Sequence, residues 1–345
     1  MHKKIGEDAM NIPSNLMLDN RTEFLRAVNA ASQSAQLIES NAFEQVALAR
    51  RNGHPLAYIC IFASDYVSVV DVCEARRLLD IPVGLGPLDI RINPCKQLAY
   101  VTNFSVNTLS VIDLYKNQAI KTIPVDSYPA GVAVSPDGRM VYVVHYGTPS
   151  VYVLDACTLE KITDITLPSI GFSIDVTHDG SLAFVSLRNA QQIAVIDLAL
   201  NLVIKLLPAE AGTEYVKRSP NDRHVFVSNE EGNSITPVNV LLAEAAAPFP
   251  TPNGPVGLAF THGGNQLYSA NRYDDSVTGF DVFTQRQFTK IAVGKGPYGL
   301  ATACEGKLMV VTNTFEDTVS ILDTRTSRVL NFVTVGFAPA FLAIL

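Results

Sequence analysis

Residues 99–138 read AYVTNFSVNTLSVIDLYKNQAIKTIPVDSYPAGVAVSPDG. Four short segments in this stretch alternate apolar and polar residues: Ala99–Thr102, Leu109–Asp113, Ala119–Val125 and Gly131–Val134. Alternation with a period of two marks β-strands, and turn residues separate the segments. Ser135-Pro136-Asp137-Gly138 forms a tight exit turn, in which proline presets φ and glycine accepts a positive one. Working outward, Tyr100 has counterparts at Tyr58, Tyr142, Phe184, Phe226, Tyr268 and Val310, every step being 42 residues. Seven copies of a four-stranded unit at this spacing predict an all-β chain folded as a seven-bladed β-propeller. One such unit cannot bury both of its faces, whereas seven stacked around an axis can.

The end of the repeat predicts how the ring closes. Phe337-Ala338-Pro339-Ala340-Phe341-Leu342 keeps the register of Tyr128–Val132 five periods earlier. Its sheet partners are then the three strands beginning near Tyr58, so the last strand completes the first blade. Residues 55–345 are assigned to the propeller and residues 1–54 to an N-terminal helical extension. Within the extension, Leu25, Val28, Ala31, Ala35 and Ile38 give Thr22 to Ile38 a helical period. A second helix is expected from Asn41 to Arg50, in preference to an inner strand that needs a register shift and puts Arg50 at an apolar place. The apolar face of the extension has three candidate seats: the ring, a channel mouth, or a second chain in a homodimer.

The segments YVTN (Tyr100 to Asn103), SVID (Ser110 to Asp113) and SPDG (Ser135 to Gly138) resemble the YVTN family of β-propeller repeats. Val311-Thr312-Asn313 with Val319–Asp323 repeats the match, and Phe226-Val227-Ser228-Asn229 is a close variant. The resemblance runs from about residue 55 to the C-terminus. It implies a propeller fold, and through lactonase-like relatives it admits binding proteins, surface-layer components and enzymes alike.

Composition narrows the partners. The formal charge of −7 offers no general attraction for nucleic acid or anionic lipid, so neither is expected. Glu7 and Asp8 interrupt any signal-peptide pattern, and no apolar run is long enough for a bilayer helix, which makes cytoplasmic residence the expectation. Five scattered cysteines without CxxC spacing suggest free thiols, with neither disulfides nor a zinc site. No catalytic, nucleotide or haem-attachment motif occurs, and no cofactor is expected.

The period also locates channel residues. The inner-strand column Ile90, Val132, Ile174, Val216, Leu258, Leu300, Leu342 is apolar and is expected between blades. The flanking columns face the axis, and they concentrate polar groups in Asp89, Arg91, Asp175, Tyr215 and Lys217. Arg218 falls in an otherwise apolar column and needs a partner, for which Glu214 is the candidate. After the YVTN segments, one column reads Ile61, Asn103, His145, Leu187, Asn229, Asn271, Asn313, and the next reads Phe62, Phe104, Tyr146, Arg188, Glu230, Arg272, Thr314. The asparagines read as turn residues that bond backbone and tolerate left-handed φ. The recurring Asp at strand ends reads as turn chemistry. Two functions remain. The first is a non-catalytic recognition propeller that binds a protein or a small polar or anionic ligand through Asp89, Arg91, Asp175, Arg188, Lys217, Arg272 and Tyr298. The alternative is a lactonase-like hydrolase or isomerase that uses His145, Glu214 and Tyr215 on a small acidic or cyclic substrate.

Overall fold

The computed structural model describes residues 41–93 and 95–345. Among these, seven antiparallel sheets stand around one axis. Blade 2 is typical: Pro87–Asn93 is innermost, followed outward by Leu98–Asn103, Thr108–Asp113 and Gln118–Pro124. Inner strands run side by side around the ring, each touching the next. Blade 1 alone draws on both ends of the repeat. Its innermost strand, Pro339–Ile344, pairs antiparallel with Leu56–Ile61, whose partners outward are Tyr66–Asp71 and Arg76–Pro82. The predicted closure is therefore the observed one.

Burial falls along each blade in the way radial stacking requires. Leu98–Asn103 is buried from its second residue onward because blades cover both of its faces, whereas outermost Gln118–Pro124 buries only Ile123. Tyr58, Tyr100, Tyr142, Phe184, Phe226, Tyr268 and Val310 all lie in the core, as do the seven apolar residues of the Ile90 column. Fully burying one such side chain contributes roughly 1.5–3 kcal/mol, so the inter-blade layers carry the stability of the ring. A helix spans residues 41–51, as expected. It seats Val46 and Ala49 in the core of blades 1 and 2, and Arg50 donates to the Tyr58 hydroxyl and the Leu114 carbonyl. The helix expected from Thr22 to Ile38 lies outside the described residues.

Polar side chains join neighbouring inner strands where apolar contact cannot. A β-bulge interrupts the pairing of the innermost and second strands in six blades, for example between Pro87 and Ile90. It leaves the N–H of Asp89 out of the ladder, and the Thr102 hydroxyl accepts it at 3.0 Å while donating to Ala130 of the next blade at 2.7 Å. Ser186 and Ser228 repeat this arrangement toward Glu214 and Val256. The two axis-facing columns, those of Asp89 and Arg91, supply a second stitch. Asp89 accepts the N–H of Val132, Ser173 that of Val216, and Asp175 that of Arg218. Where the Asp89 column holds glycine, as at Gly257, an added Cβ would strike the Tyr298 carbonyl of the next strand.

Two outcomes test this architecture. Deleting residues 337–345 should abolish the sharp thermal transition in circular dichroism, and a truncated chain that melts like the full one contradicts closure by this strand. Asp89→Ala strips the acceptor from the N–H groups of Val132 and Ile90 and the ion-pair partner from Arg91, and should cost about 1–3 kcal/mol in denaturant titration. Asp164→Ala, which removes only a half-exposed ion pair with Lys161, should stay within about 1 kcal/mol.

Candidate functional site

At the end of the channel where the inner strands begin, hereafter the upper mouth, one residue per blade forms a ring: Phe62, Phe104, Tyr146, Arg188, Glu230, Arg272 and Thr314. Below it stands a second ring from the inner strands: Leu88, Ala130, Phe172, Glu214, Val256, Tyr298 and Ala340. Strict alternation would turn the second ring between blades with Ile90. In blade 2 the bulge between Pro87 and Ile90 re-aims it, which is why sequence periodicity missed Leu88, and in blade 4 Phe172 precedes the short inner strand Ile174–Val176. Between the rings lies a cavity of about 210 Å³, lined by Phe62, Leu88, Phe104, Phe172, Arg272, Tyr298, Thr314, Ala338 and Ala340.

The mouth is divided by chemistry. Blades 1–4 supply an aromatic arc, with ring centroids at 6.0 Å for Phe62–Phe104, 6.2 Å for Phe104–Tyr146 and 6.1 Å for Tyr146–Phe172. Blades 4–6 supply an ionic arc. Arg188 pairs with Glu214 and, at 2.6 Å, with Glu230, while Arg272 approaches Glu230 at 3.3 Å. Glu214 and Glu230 are nearly sealed from solvent, so an unpaired charge there would be strongly unfavourable, and the two arginines neutralise both. Arg188 is thereby occupied. Arg272 has only the longer contact and lies against the rings of Tyr273, Tyr298 and Phe315 at 5.6, 5.1 and 5.2 Å. Tyr298 donates to Glu214 at 3.3 Å, and burial raises its phenol pKa, keeping it a neutral donor.

The remaining channel residues belong to the other end. Tyr215 stacks on Phe341 at 4.7 Å, and Phe341 meets Tyr298 at 4.9 Å, so an aromatic layer divides the channel. On the far side of it, Arg91, Tyr215, Lys217 and Arg218 line a lower vestibule of about 420 Å³. Arg91 donates to the Tyr215 hydroxyl at 2.9 Å and lies 3.6 Å from Asp89. Burial pushes the Tyr215 phenol up to about 12 and the Lys217 ammonium down. The ten candidate residues therefore do not share one site. Arg188, Glu214, Arg272 and Tyr298 gather at the upper mouth, Asp89, Arg91, Asp175, Tyr215 and Lys217 at the lower, and His145 at neither.

Three expectations need correction. His145 is wholly buried in blade 3, with Nδ1 at 3.3 Å from Ser150, so no substrate reaches it and it cannot serve Glu214 or Tyr215 as acid or base. The asparagines in its column take no left-handed φ, and their amides bond side-chain hydroxyls, with Asn229 also accepting the backbone N–H of Glu210 at 3.3 Å. Asn103 has φ −102° and donates from Nδ2 to Thr108 and Ser110, while Asn229, Asn271 and Asn313 grip hydroxyls at the same offsets. Arg218 pairs not with Glu214 but with Asp222, at 2.6 Å. The strand-end column is turn chemistry as expected, each Asp or Asn accepting N–H groups two or three residues on.

Comparisons with known proteins agree with this architecture. Residues 203–307 match the YNCE-like beta-propeller family and residues 65–175 the cytochrome D1 heme domain, neither spanning half the chain. Kuenenia stuttgartiensis hydrazine synthase is similar in structure, at 20% identity and TM-score 0.69, over 75% of this chain and 90% of that one. A functionally unknown protein from Desulfotomaculum acetoxidans DSM 771 superposes with TM-score 0.74 at 15% identity, over 84% and 98% of the two chains. Dihydro-heme d1 dehydrogenase NirN in complex with DHE gives TM-score 0.63 at 15% identity, over 81% of this chain and 63% of that one. No curated protein matches the chain in sequence. The kinship is with β-propellers. A haem is poorly served by the upper mouth: of the side chains that line the cavity only Tyr298 is of a type that ligates haem iron, its hydroxyl is given to Glu214, and the volume is about 210 Å³. Among the described residues no helix is long and apolar enough to cross a membrane.

Burial lowers the pKa of His145, so the unfolded chain, titrating near pH 6.5, binds its proton more readily than the folded one. The neutral ring favours the fold above that pH, and the advantage is lost as pH falls. His145→Asn, which restores the residue of the column, should flatten the drop in melting temperature between about pH 7 and 5. An unchanged pH profile would place the acid sensitivity elsewhere.

Proposed function

We propose that this protein is a non-catalytic recognition propeller whose upper mouth binds a compact ligand with a flat apolar body and one anionic group. One observation carries the reading: a cavity lined by aromatic and small residues has Arg272 as its single charged lining residue. The apolar body would lie against Phe62, Phe104 and Phe172, and the anion would take a charge-assisted hydrogen bond from the Arg272 guanidinium. Thr314 and Tyr298 supply the neutral polar contacts. The hydrolase or isomerase alternative finds no support at this mouth, because Glu214 is held by Arg188 and Tyr298 and the buried histidine stands apart. The haem named for similar proteins is not carried over to this chain.

Two fluorescent probes test the reading: anilinonaphthalene sulfonate, which is aromatic and anionic, and its uncharged relative phenylnaphthylamine. Arg272→Met should weaken the sulfonate about tenfold, the loss of one charge-assisted bond, and leave the neutral probe unchanged. Phe104→Ala should weaken both. The absence of saturable binding, or equal loss of both probes in Arg272→Met, would overturn the assignment.

A further inference from the structure

One cluster away from the channel has no counterpart in the other blades. His54 follows the N-terminal helix, Asp71 ends the second strand outward in blade 1, Cys73 sits in the next turn, and Cys304 lies just past the inner strand of blade 7. The donor atoms of His54, Asp71 and Cys73 lie within 4.8 Å of one another, with His54 Nδ1 at 2.9 Å from Asp71 Oδ2. The Cys304 thiol is within hydrogen-bonding reach of Cys73, and His54 and Cys304 line a common open cavity of about 450 Å³. One nitrogen, one oxygen and one sulfur thus converge, and the Cys304 thiol stands beside that sulfur from a separate part of the chain.

Turn chemistry explains only part of this. Asp71 Oδ1 accepts the N–H groups of Cys73 and Glu74, as its equivalents do elsewhere, which leaves Oδ2 for another partner. Blade 3 is the internal control. Cys157 stands beside Asp155 with the same backbone bonds, but the positions matching His54 and Cys304 are Gly138 and Pro94. Arg50 borders the cavity but is held by Tyr58, at 2.8 Å, and by the Leu114 carbonyl.

We propose that His54, Asp71, Cys73 and Cys304 bind one divalent transition cation, with zinc the best chemical match. Zinc takes thiolate, imidazole and carboxylate in tetrahedral array, and ligands at about 2.0–2.3 Å from it stand roughly 3.3–3.8 Å apart, so His54, Asp71 and Cys73 would draw in from their present spacing of up to 4.8 Å and Cys304 would turn in beside Cys73. Both thiols lose their protons to solvent on binding, imidazole stays neutral and Asp71 stays ionised, so affinity falls as pH falls. The cation would fasten the segment that leads into blade 1 to blade 7, across the seam where the ring closes.

Cobalt(II) reports thiolate ligation by a charge-transfer absorption in the near ultraviolet. The full, reduced chain should bind one equivalent with that band, zinc should displace it, and the melting temperature should rise with metal. Cys73→Ser and Cys304→Ser should each diminish the band and abolish the thermal shift, whereas Cys157→Ser should keep both. His54→Ala should weaken binding while the band at saturation remains. A reduced chain that gives no band, a Cys304→Ser variant that matches the parent, or a Cys73–Cys304 disulfide in a chain whose reduced form takes up no cobalt would each overturn the proposal.

Discussion

The pairing of Pro339–Ile344 with Leu56–Ile61 turns seven sheets into a ring, and every other feature presupposes it. A blade has two apolar faces, and in an open stack the terminal blades would each expose one. Closure lets every face find a neighbour, so the hydrophobic term acts around the whole circle. Blade 1 is held by non-covalent contacts between distant parts of the chain, and the helix at residues 41–51 reinforces it by adding Val46 and Ala49 to its core.

Apolar contact sets the spacing of blades but not their registry. Registry comes from directional bonds near the axis, where space admits only small or polar side chains. The Thr or Ser of the second strand fills the gap opened by the bulge and reaches the next blade, while Asp89, Ser173 and Asp175 hold neighbouring N–H groups. Polar residues that look functional in a channel are, in this protein, partly structural. Asp89 and Asp175 belong first to the frame.

The frame in turn decides where ligands go. Because Tyr215, Phe341 and Tyr298 fill the middle, the two mouths are separate environments and not ends of one passage. The lower one is rich in cations close to carboxylates. In the upper one, aromatic and ionic arcs face each other across a small cavity, and its buried acids are already neutralised. In the proposed reading such a mouth would serve recognition and not proton transfer, since its buried acids are held by arginines.

The sequence alone determined the blade number, the closing strand, the strand-end turns and the residues that crowd the axis, because a 42-residue period projects each position onto one place in every blade. Local propensity said less about turns: Ala75 and Leu159 adopt left-handed φ although neither favours it, in the turn whose strand-end aspartate accepts the N–H groups two and three residues on. Periodicity could not reveal the bulges that turn Leu88 and Tyr298 into the mouth, nor that His145 is sealed while Arg272 is open. Nor could it bring His54, Cys73 and Cys304 together, since their proximity exists only across the closed seam. A repeat specifies equivalent positions, whereas burial, pairing and contact between non-equivalent ones arise only when the ring is assembled.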